Sequence, residues 1–415
     1  MIKKIILSMM MLISFISFAQ EGTSSPYSFY GIGDVKFRGT TENRAMAGLS
    51  VLPDSIHINL QNPAMLSTLK LTNFGVAATY NNTKFEATNE EAKARRTTLD
   101  YLAIGIPVGK MGFSLGLIPY SSVGYKIKNE STNVVNPSTT KYEANGGINK
   151  VFTGMGYQIA KNFSIGADVQ YNFGKIETNS TKSLAVELST RERNESSVSG
   201  VTFNTGLAYQ TKINKKLTIS SAVTYSPESS LTLKNTRNIA TVQTLNAGEF
   251  VLEDTNIEVA DTKLKMPSKF SIGSAIGEVR KWNVGAEVIF QGSSKLGNRF
   301  NDVQDVRFEN GTKYLIGGYF IPKFNSFSNY WNKINYRAGI SYEKTGLVVK
   351  NKSITDQAIT LGLGLPVGGA FSNINIGFEY GKRGTIYNGL IRETYANITV
   401  GLSFNDKWFR KSKID

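Results

Sequence analysis

The residues of this chain that could do chemistry near neutral pH are few. Its one histidine, His57, lies in LPDSIHINLQNPAMLSTL, residues 52–69, so a Ser-His-Asp relay or a histidine-based metal site would depend on it alone. Ile56 and Ile58 flank it, and a hydrogen-bonded structural role is the expectation. Cysteine is absent, which removes thiolate nucleophiles, cysteine metal sites, disulfides and lipoprotein anchoring. The run NDVQDVRFENG brings Asp302, Asp305, Glu309 and Asn310 together, but the spacing fits no EF-hand and no metal is assigned. In YGIGDVKFRG, Gly31-x-Gly33 is followed by no helical periodicity that would turn an N-terminus toward phosphate, so it reads as turn chemistry. Neither an enzyme nor a cofactor is expected from this set.

The elements that would position these residues begin with an export signal. In MIKKIILSMMMLISFISFAQ, Lys3 and Lys4 precede an apolar run from Ile5 to Ile16, and Ser17-Phe18-Ala19 supplies small residues where a signal peptidase reads. Cleavage is expected after Ala19, giving a signal peptide over residues 1–19. The alternative, a membrane anchor, is opposed by length, since a spanning helix needs about 20 apolar residues. The net charge of +15 falls to +13 once Lys3 and Lys4 are removed. A basic surface suits anionic partners such as lipopolysaccharide phosphates. The lysines and arginines are scattered among turns (TKINKK, NKSIT, GKRGT) with no basic helix or stripe, so no nucleic-acid partner is expected.

Beyond the signal the dominant pattern has period two. In FSIGADVQYNF, Phe163, Ile165, Ala167, Val169, Tyr171 and Phe173 share one face, and Ser164, Gly166, Asp168, Gln170 and Asn172 the other. WNVGAEVIF, YRAGISYE, INIGFEYG and ANITVGLSF repeat it, with glycine and polar residues sharing the second face. A soluble sandwich also alternates, so period two alone leaves sandwich and membrane barrel open. Three features favour the barrel. Aromatics fall at strand ends (Tyr80, Tyr101, Tyr125, Phe163, Tyr225, Tyr319, Tyr336, Tyr380) as interfacial girdles do. Short turns (VGKMG, IAKNF, TKINKK, EVRKW) alternate with long polar stretches, residues 126–149, 177–200 and 231–265, taken as loops. The chain also ends on a strand closed by Phe404, with Gly401 three residues earlier, which resembles the signal read by barrel-assembly machinery.

The resulting expectation is an all-β transmembrane antiparallel barrel of about 14 strands, spanning residues 73–404. The strands are placed at 73–86, 97–107, 111–126, 148–158, 163–176, 198–210, 216–226, 264–276, 281–291, 313–322, 334–349, 354–366, 372–382 and 392–404. Residues 405–415 are read as a basic periplasmic tail. Residues 20–72 are rich in Gly, Pro, Asn and Ser and carry no strand pattern. They are expected to fold inside the barrel as a plug, with a periplasmic extension as the alternative.

Several of these stretches together resemble the FadL-type outer-membrane transporters of long-chain fatty acids and other hydrophobic compounds. Asn62, Pro63 and Ala64 match the hatch signature of that family, and AMAGLSVLPDSIHINLQ resembles its lead-in. The resemblance continues through IGIPVGKMGFSLGLIPYSSVGY, GGINKVFTGMGYQIAKNFSIGADVQYNFG, MPSKFSIGSAIG and INYRAGISYE, over most of the mature chain. It implies a 14-stranded barrel with an N-terminal hatch, a monomer in the Gram-negative outer membrane. It also implies passive uptake of a hydrophobic small molecule or fatty acid that exits sideways through a hole made by a kink in the third strand.

Pro119 lacks the N–H that a central strand donates and Gly116 permits a bend, so these two residues are expected to mark the lateral opening. Alternatively, Pro119 sits where the strand meets the membrane edge. Transport further predicts an apolar groove between hatch and wall, open near Pro119. A second class stays open, a FadL-like barrel that binds or anchors cargo in a protein-secretion machine, with the long polar stretches doing the recognition.

Overall fold

The computed structural model describes residues 22–131, 137–184, 188–245, 248–297, 305–326, 328–367 and 372–408. The expected signal peptide, Asp302 and residues 409–415 of the expected tail lie outside the described residues. Fourteen antiparallel strands close into a barrel: β1 (Thr72–Glu86), β2 (Glu91–Val108), β3 (Met111–Ser131), β4 (Ser138–Ala160), β5 (Phe163–Leu184), β6 (Ser189–Lys212), β7 (Leu217–Ser226, continued by Ser229–Leu245), β8 (Gly248–Glu258, Thr262–Met266 and Ser268–Glu278), β9 (Trp282–Gly292), β10 (Gly311–Phe320), β11 (Asn335–Val349), β12 (Lys352–Val367), β13 (Ser372–Gly384) and β14 (Arg392–Asp406). Closure is made by β14 on β1, in register from Arg392 opposite Glu86 to Asp406 opposite Thr72. Each expected strand has its counterpart.

The side of each strand that meets solvent decides between sandwich and membrane barrel. On β5, Val169 and Tyr171 are 43% and 51% exposed, while Asp168, Gln170 and Asn172 are 5%, 2% and 0% exposed. Apolar side chains therefore face out and polar ones face in, the inverse of a soluble sheet. The same exposure recurs around the wall at Leu115, Met155, Phe203, Ile272, Val284, Ile316, Ile340, Ile359, Phe378 and Val400, and such a surface is stable only against hydrocarbon. Tyr80, Tyr225 and Tyr380 are exposed outward as girdle residues. Tyr101 and Tyr125 are instead buried in the interior, and half-buried Tyr319 packs against the interior cluster of Leu49 and Met65.

The long polar stretches are not loops. β3 to β6 run for 21, 23, 22 and 24 residues, about twice the 9–11 residues that cross a bilayer. β4 and β5 stay paired from Ser138 opposite Leu184 to Ala160 opposite Phe163. The outer runs of β7 and β8 likewise pair as a hairpin. These extensions are mostly polar on both faces, with only scattered apolar residues such as Ile176, Val198 and Leu231 turned inward, so their sequence has little apolar alternation to betray a strand. β9 and β10, at 11 and 10 residues, rise no higher than a membrane crossing requires, so the wall is tall on one side only. At the end of the chain, Asn405 and Asp406 still pair with Asn73 and Thr72, which shortens the expected tail.

Candidate functional site

A barrel of this strand number encloses a lumen too wide for its own side chains to fill, and the arrangement within it can be built from Asn62, Pro63 and Ala64. Pro63 opens a short 3₁₀ helix, Pro63–Thr68, and the Asn62 side chain caps it by accepting from the Ala64 N–H at 3.0 Å. Asn62 is fully buried. The turn presses on three inward glycines: a Cβ at Gly156 would stand 2.4 Å from the Pro63 carbonyl oxygen, at Gly166 2.4 Å from the Ala64 nitrogen, and at Gly206 2.1 Å from the Asn62 side-chain oxygen. The glycines of the polar face thus clear space for a backbone. The Ser67 hydroxyl then donates to Ser164 of β5 at 2.8 Å.

Charge ties the rest of residues 22–71 to strands on every side. Arg38 pairs with Asp168 of β5 at 2.8 Å, and Asp34 with Arg383 of β13 at 2.7 Å. The Ser50 N–H and hydroxyl both donate to Glu287 of β9 at 2.7 and 2.8 Å. Arg44 donates to Thr79 of β1 and Thr399 of β14, and lies 3.5 Å from Asp100 of β2. His57 is buried between Asp54, 2.8 Å from Nδ1, and Glu42, 3.3 Å from Nε2. Burial pushes the imidazole down, but Asp54 and Glu42 outweigh it and hold His57 above its ordinary 6.5. Burial pushes Asp54 up, and His57 outweighs that in turn, drawing it below 3.8.

β3 departs from the wall. Up to Leu115 its residues alternate between exposed and buried, but Tyr120 to Tyr125 are buried without alternation. Its pairing with β2 stops at Leu117 opposite Leu102, and its register against β4 slips between Pro119 and Ser121. Gly116 sits one residue before the last shared rung, where a Cβ would meet the Leu102 carbonyl oxygen at 2.5 Å and the Phe152 ring at 2.7 Å. Past the slip, the freed edge of β3 is taken by the N-terminal segment: Asp34 and Val35 pair with Ser122 and Ser121, and the Lys36 N–H donates to the Tyr120 carbonyl at 2.8 Å. Tyr120, Val123 and Tyr125 enter an interior apolar cluster with Ile32, Ile148 and Leu231. Residues 91–101 of β2 are left with no strand on that side among the described residues.

Between the N-terminal segment and the wall lies a cavity of about 450 Å³. Where an apolar groove is expected, the lining carries sixteen charged side chains, nine basic and seven acidic. The apolar surface that could have formed such a groove is consumed by packing β3 against Ile32 and the outer hairpins. Closest to the slip are Lys36, Arg38 and Lys150, which with Gln170 border a smaller space at Pro119. Lys150 is 7% exposed. Its ammonium donates to Gln170 at 2.9 Å and lies 3.7 Å above the Tyr120 ring, and no carboxylate comes within 4 Å of it among the described residues. Sequence reasoning missed Lys150, Asp168 and Glu287. Their inward positions are legible in the alternation, but their partners lie far along the chain.

The remaining sequence-named residues serve local structure. A Cβ on Gly401 would strike the Thr41 hydroxyl at 2.3 Å, so this glycine admits the N-terminal segment. Phe404 is 52% exposed and its ring lies 6.3 Å from that of Phe74 on the neighbouring strand. Gly31 and Gly33 hold positive φ values of 59° and 91°, with the Gly33 N–H returned to the Tyr30 carbonyl. Of the acidic run, Glu309 pairs with Arg307 and Asn310 accepts from the Ser294 N–H.

Comparison with solved structures gives the same architecture. A channel described as the CymD monoaromatic hydrocarbon channel matches with a TM-score of 0.57 at 13% identity, over 91% of this chain and 99% of that one. The toluene transporter TodX of Pseudomonas putida matches with a TM-score of 0.54 at 16% identity, over 91% and 100%. A FadL homologue of Pseudomonas aeruginosa matches with a TM-score of 0.54 at 12% identity, over 90% and 98%. At these identities the likeness is one of fold. No curated protein matches in sequence. The profile of a family described as BamG matches residues 1–415.

Proposed function

The chain belongs to the BamG family, and from the barrel it forms we propose an outer-membrane protein of FadL architecture that passes hydrophobic small molecules through its wall between β2 and β3. The observation that carries this reading is the end of the β2–β3 pairing just before Pro119, past which residues 91–101 of β2 have no strand on the β3 side among the described residues. Residues 22–71 act as the hatch, and the pairing of Asp34 and Val35 with β3 must yield before a path opens. Gly116 and Pro119 shape the gap. The molecules in question are amphiphiles with an anionic head, long-chain fatty acids among them. Lys36, Arg38 and Lys150 beside the gap offer charge to a carboxylate, while the tail gains by reaching lipid directly. Export after signal cleavage, insertion by barrel-assembly machinery through the strand ending at Phe404, contact with lipopolysaccharide, a monomeric state and the lack of catalysis belong to the same proposal.

A charged cavity in place of an apolar groove favours a second reading, in which the barrel is a structural or partner-binding component of an envelope machine and the tall hairpins of β3 to β8 make the contacts. Mass spectrometry of small molecules retained by protein purified in mild detergent separates the two, with wild type compared to a Gly116→Val/Pro119→Ala variant. A stoichiometric amphiphile, with cellular uptake of a labelled fatty acid reduced about tenfold in the variant, supports transport. An empty barrel with uptake unchanged overturns it.

A further inference from the structure

Two of the barrel's open strand edges among the described residues are defended differently. Residues 91–101 of β2 carry Lys93, Arg95 and Arg96, the charges with which natural edges repel an added strand. The outer run of β8, Gly248–Glu258, pairs on one side with β7. On its other side it has no strand among the described residues, because β9 ends at Gly292, opposite Ser268. This edge is eleven residues long and contains no proline, lysine or arginine. Phe250, Val251 and Leu252 are 50%, 49% and 56% exposed. The run Ser268–Glu278 has the eleven residues that a bilayer crossing needs, so the apolar trio stands beyond the membrane, in water. An edge in water that carries an exposed apolar trio, and only carboxylates for charge, is a template for adding a strand of opposite charge.

We propose that Gly248–Glu258 is a docking edge for an extended, lysine- or arginine-bearing segment of another envelope protein, which adds to the hairpin as a further strand. Charge selects this occupant. In a chain of net charge +15 the edge gathers Glu249, Glu253, Asp254 and Glu258 without one basic residue. Arg191 pairs with Glu249, and Asn238 donates to Asp254, whereas Glu253 and Glu258 have no partner among the described residues. Those two carboxylates delimit the run in continuous register with β7, since the bulge at Leu252 ends at Glu253. Phosphate-rich lipid is repelled by the same charges. The docking edge rests on the placement of this end of the barrel outside the membrane and not on transport. It gives the second reading a site and leaves the first untouched.

The test uses the full chain reconstituted in nanodiscs and a fluorescent ten-residue peptide alternating lysine and valine as the probe. Saturable binding is expected. It should fall at least tenfold for a glutamate–valine peptide of the same length, for the lysine–valine peptide N-methylated at alternate amides, and for a Glu253→Lys/Glu258→Lys variant. The two peptide controls act on wild-type protein and read out even if the variant fails to fold. Binding that is absent, that survives N-methylation, or that is indifferent to peptide charge overturns the proposal. So does a homodimer on size exclusion that the same substitutions dissolve, because the occupant is then a second copy.

Discussion

At the scale of single residues, the histidine that draws attention in the sequence is buried between two carboxylates, and its chemistry predicts a pH response. His57 is the only histidine, so an untagged chain with labelled imidazole gives one NMR titration. Its midpoint should lie above 6.5, since Asp54 and Glu42 favour the protonated ring. A midpoint at or below 6.5 would mean that burial wins. For a group raised on folding, the stabilisation is full below the unfolded value and is lost as pH rises through the folded one. For Asp54, lowered on folding, it is present above 3.8 and is lost as pH falls. The pair therefore holds its part of the N-terminal segment best between about pH 4 and 6.5 and loosens on the alkaline side. The presence of a hydrogen-bonded histidine was legible from its apolar neighbours and the lack of a second ligand residue. Its partner Glu42 was not, because it lies fifteen residues away in an irregular segment where no periodicity relates the two.

At the scale of elements, the sequence pattern located the crossing part of each of the fourteen barrel strands, and the glycines sharing the polar face now have a cause. Gly156, Gly166 and Gly206 lie on three adjacent strands and form a seat for the capped turn at Asn62. Asn62→Ala removes the cap on the Ala64 N–H, which costs about 1 kcal/mol, and its bond to the Leu207 carbonyl, loosening the turn without obstructing it. Gly166→Leu instead drives a side chain into the Pro63–Ala64 backbone. The expected order of protease sensitivity within residues 22–71 is thus wild type, then Asn62→Ala, then Gly166→Leu, with the barrel band unchanged on unheated gels. Equal sensitivity in all three would show that the seat does not hold the segment. The outer extensions were misread because their strands are mostly polar, with only scattered apolar residues such as Val198 and Leu231 turned inward. Their strand character lies in pairing such as Thr178 opposite Asn194, which polar sequence does not announce. The break at Pro119 was legible, since proline removes a donor. The burial of Tyr120 to Tyr125 was not, because it depends on Ile32 and Leu231 arriving from elsewhere.

For the whole molecule, the outstanding matter is whether residues 22–71 move as a body, and the absence of cysteine allows a clean answer. The Ser67 and Ser164 hydroxyls are 2.8 Å apart, a separation compatible with a bridge between cysteines at these positions. One such link would pin the capped turn to β5 while leaving the gap at Pro119 and the pairing of Asp34 with Ser122 in place. If ligand passage needs the entire segment to swing clear of the glycine seat, the oxidised Ser67→Cys/Ser164→Cys protein should lose uptake of a fluorescent fatty acid at least tenfold, and reductant should restore it. Uptake retained under oxidation would confine the motion to residues 22–38, which alone line β3 past the slip. Two of the ties of that stretch, Arg38 to Asp168 and Asp34 to Arg383, are ionic, and Arg38, Asp34 and Arg383 border the cavity, where water can compete for them. The seat at Asn62, fully buried and backed by glycine, offers water no such access. On that difference in solvation Asp34 to Arg38, a part of the stretch that borders the cavity, is what is expected to move, so the cross-link should leave the proposed uptake intact.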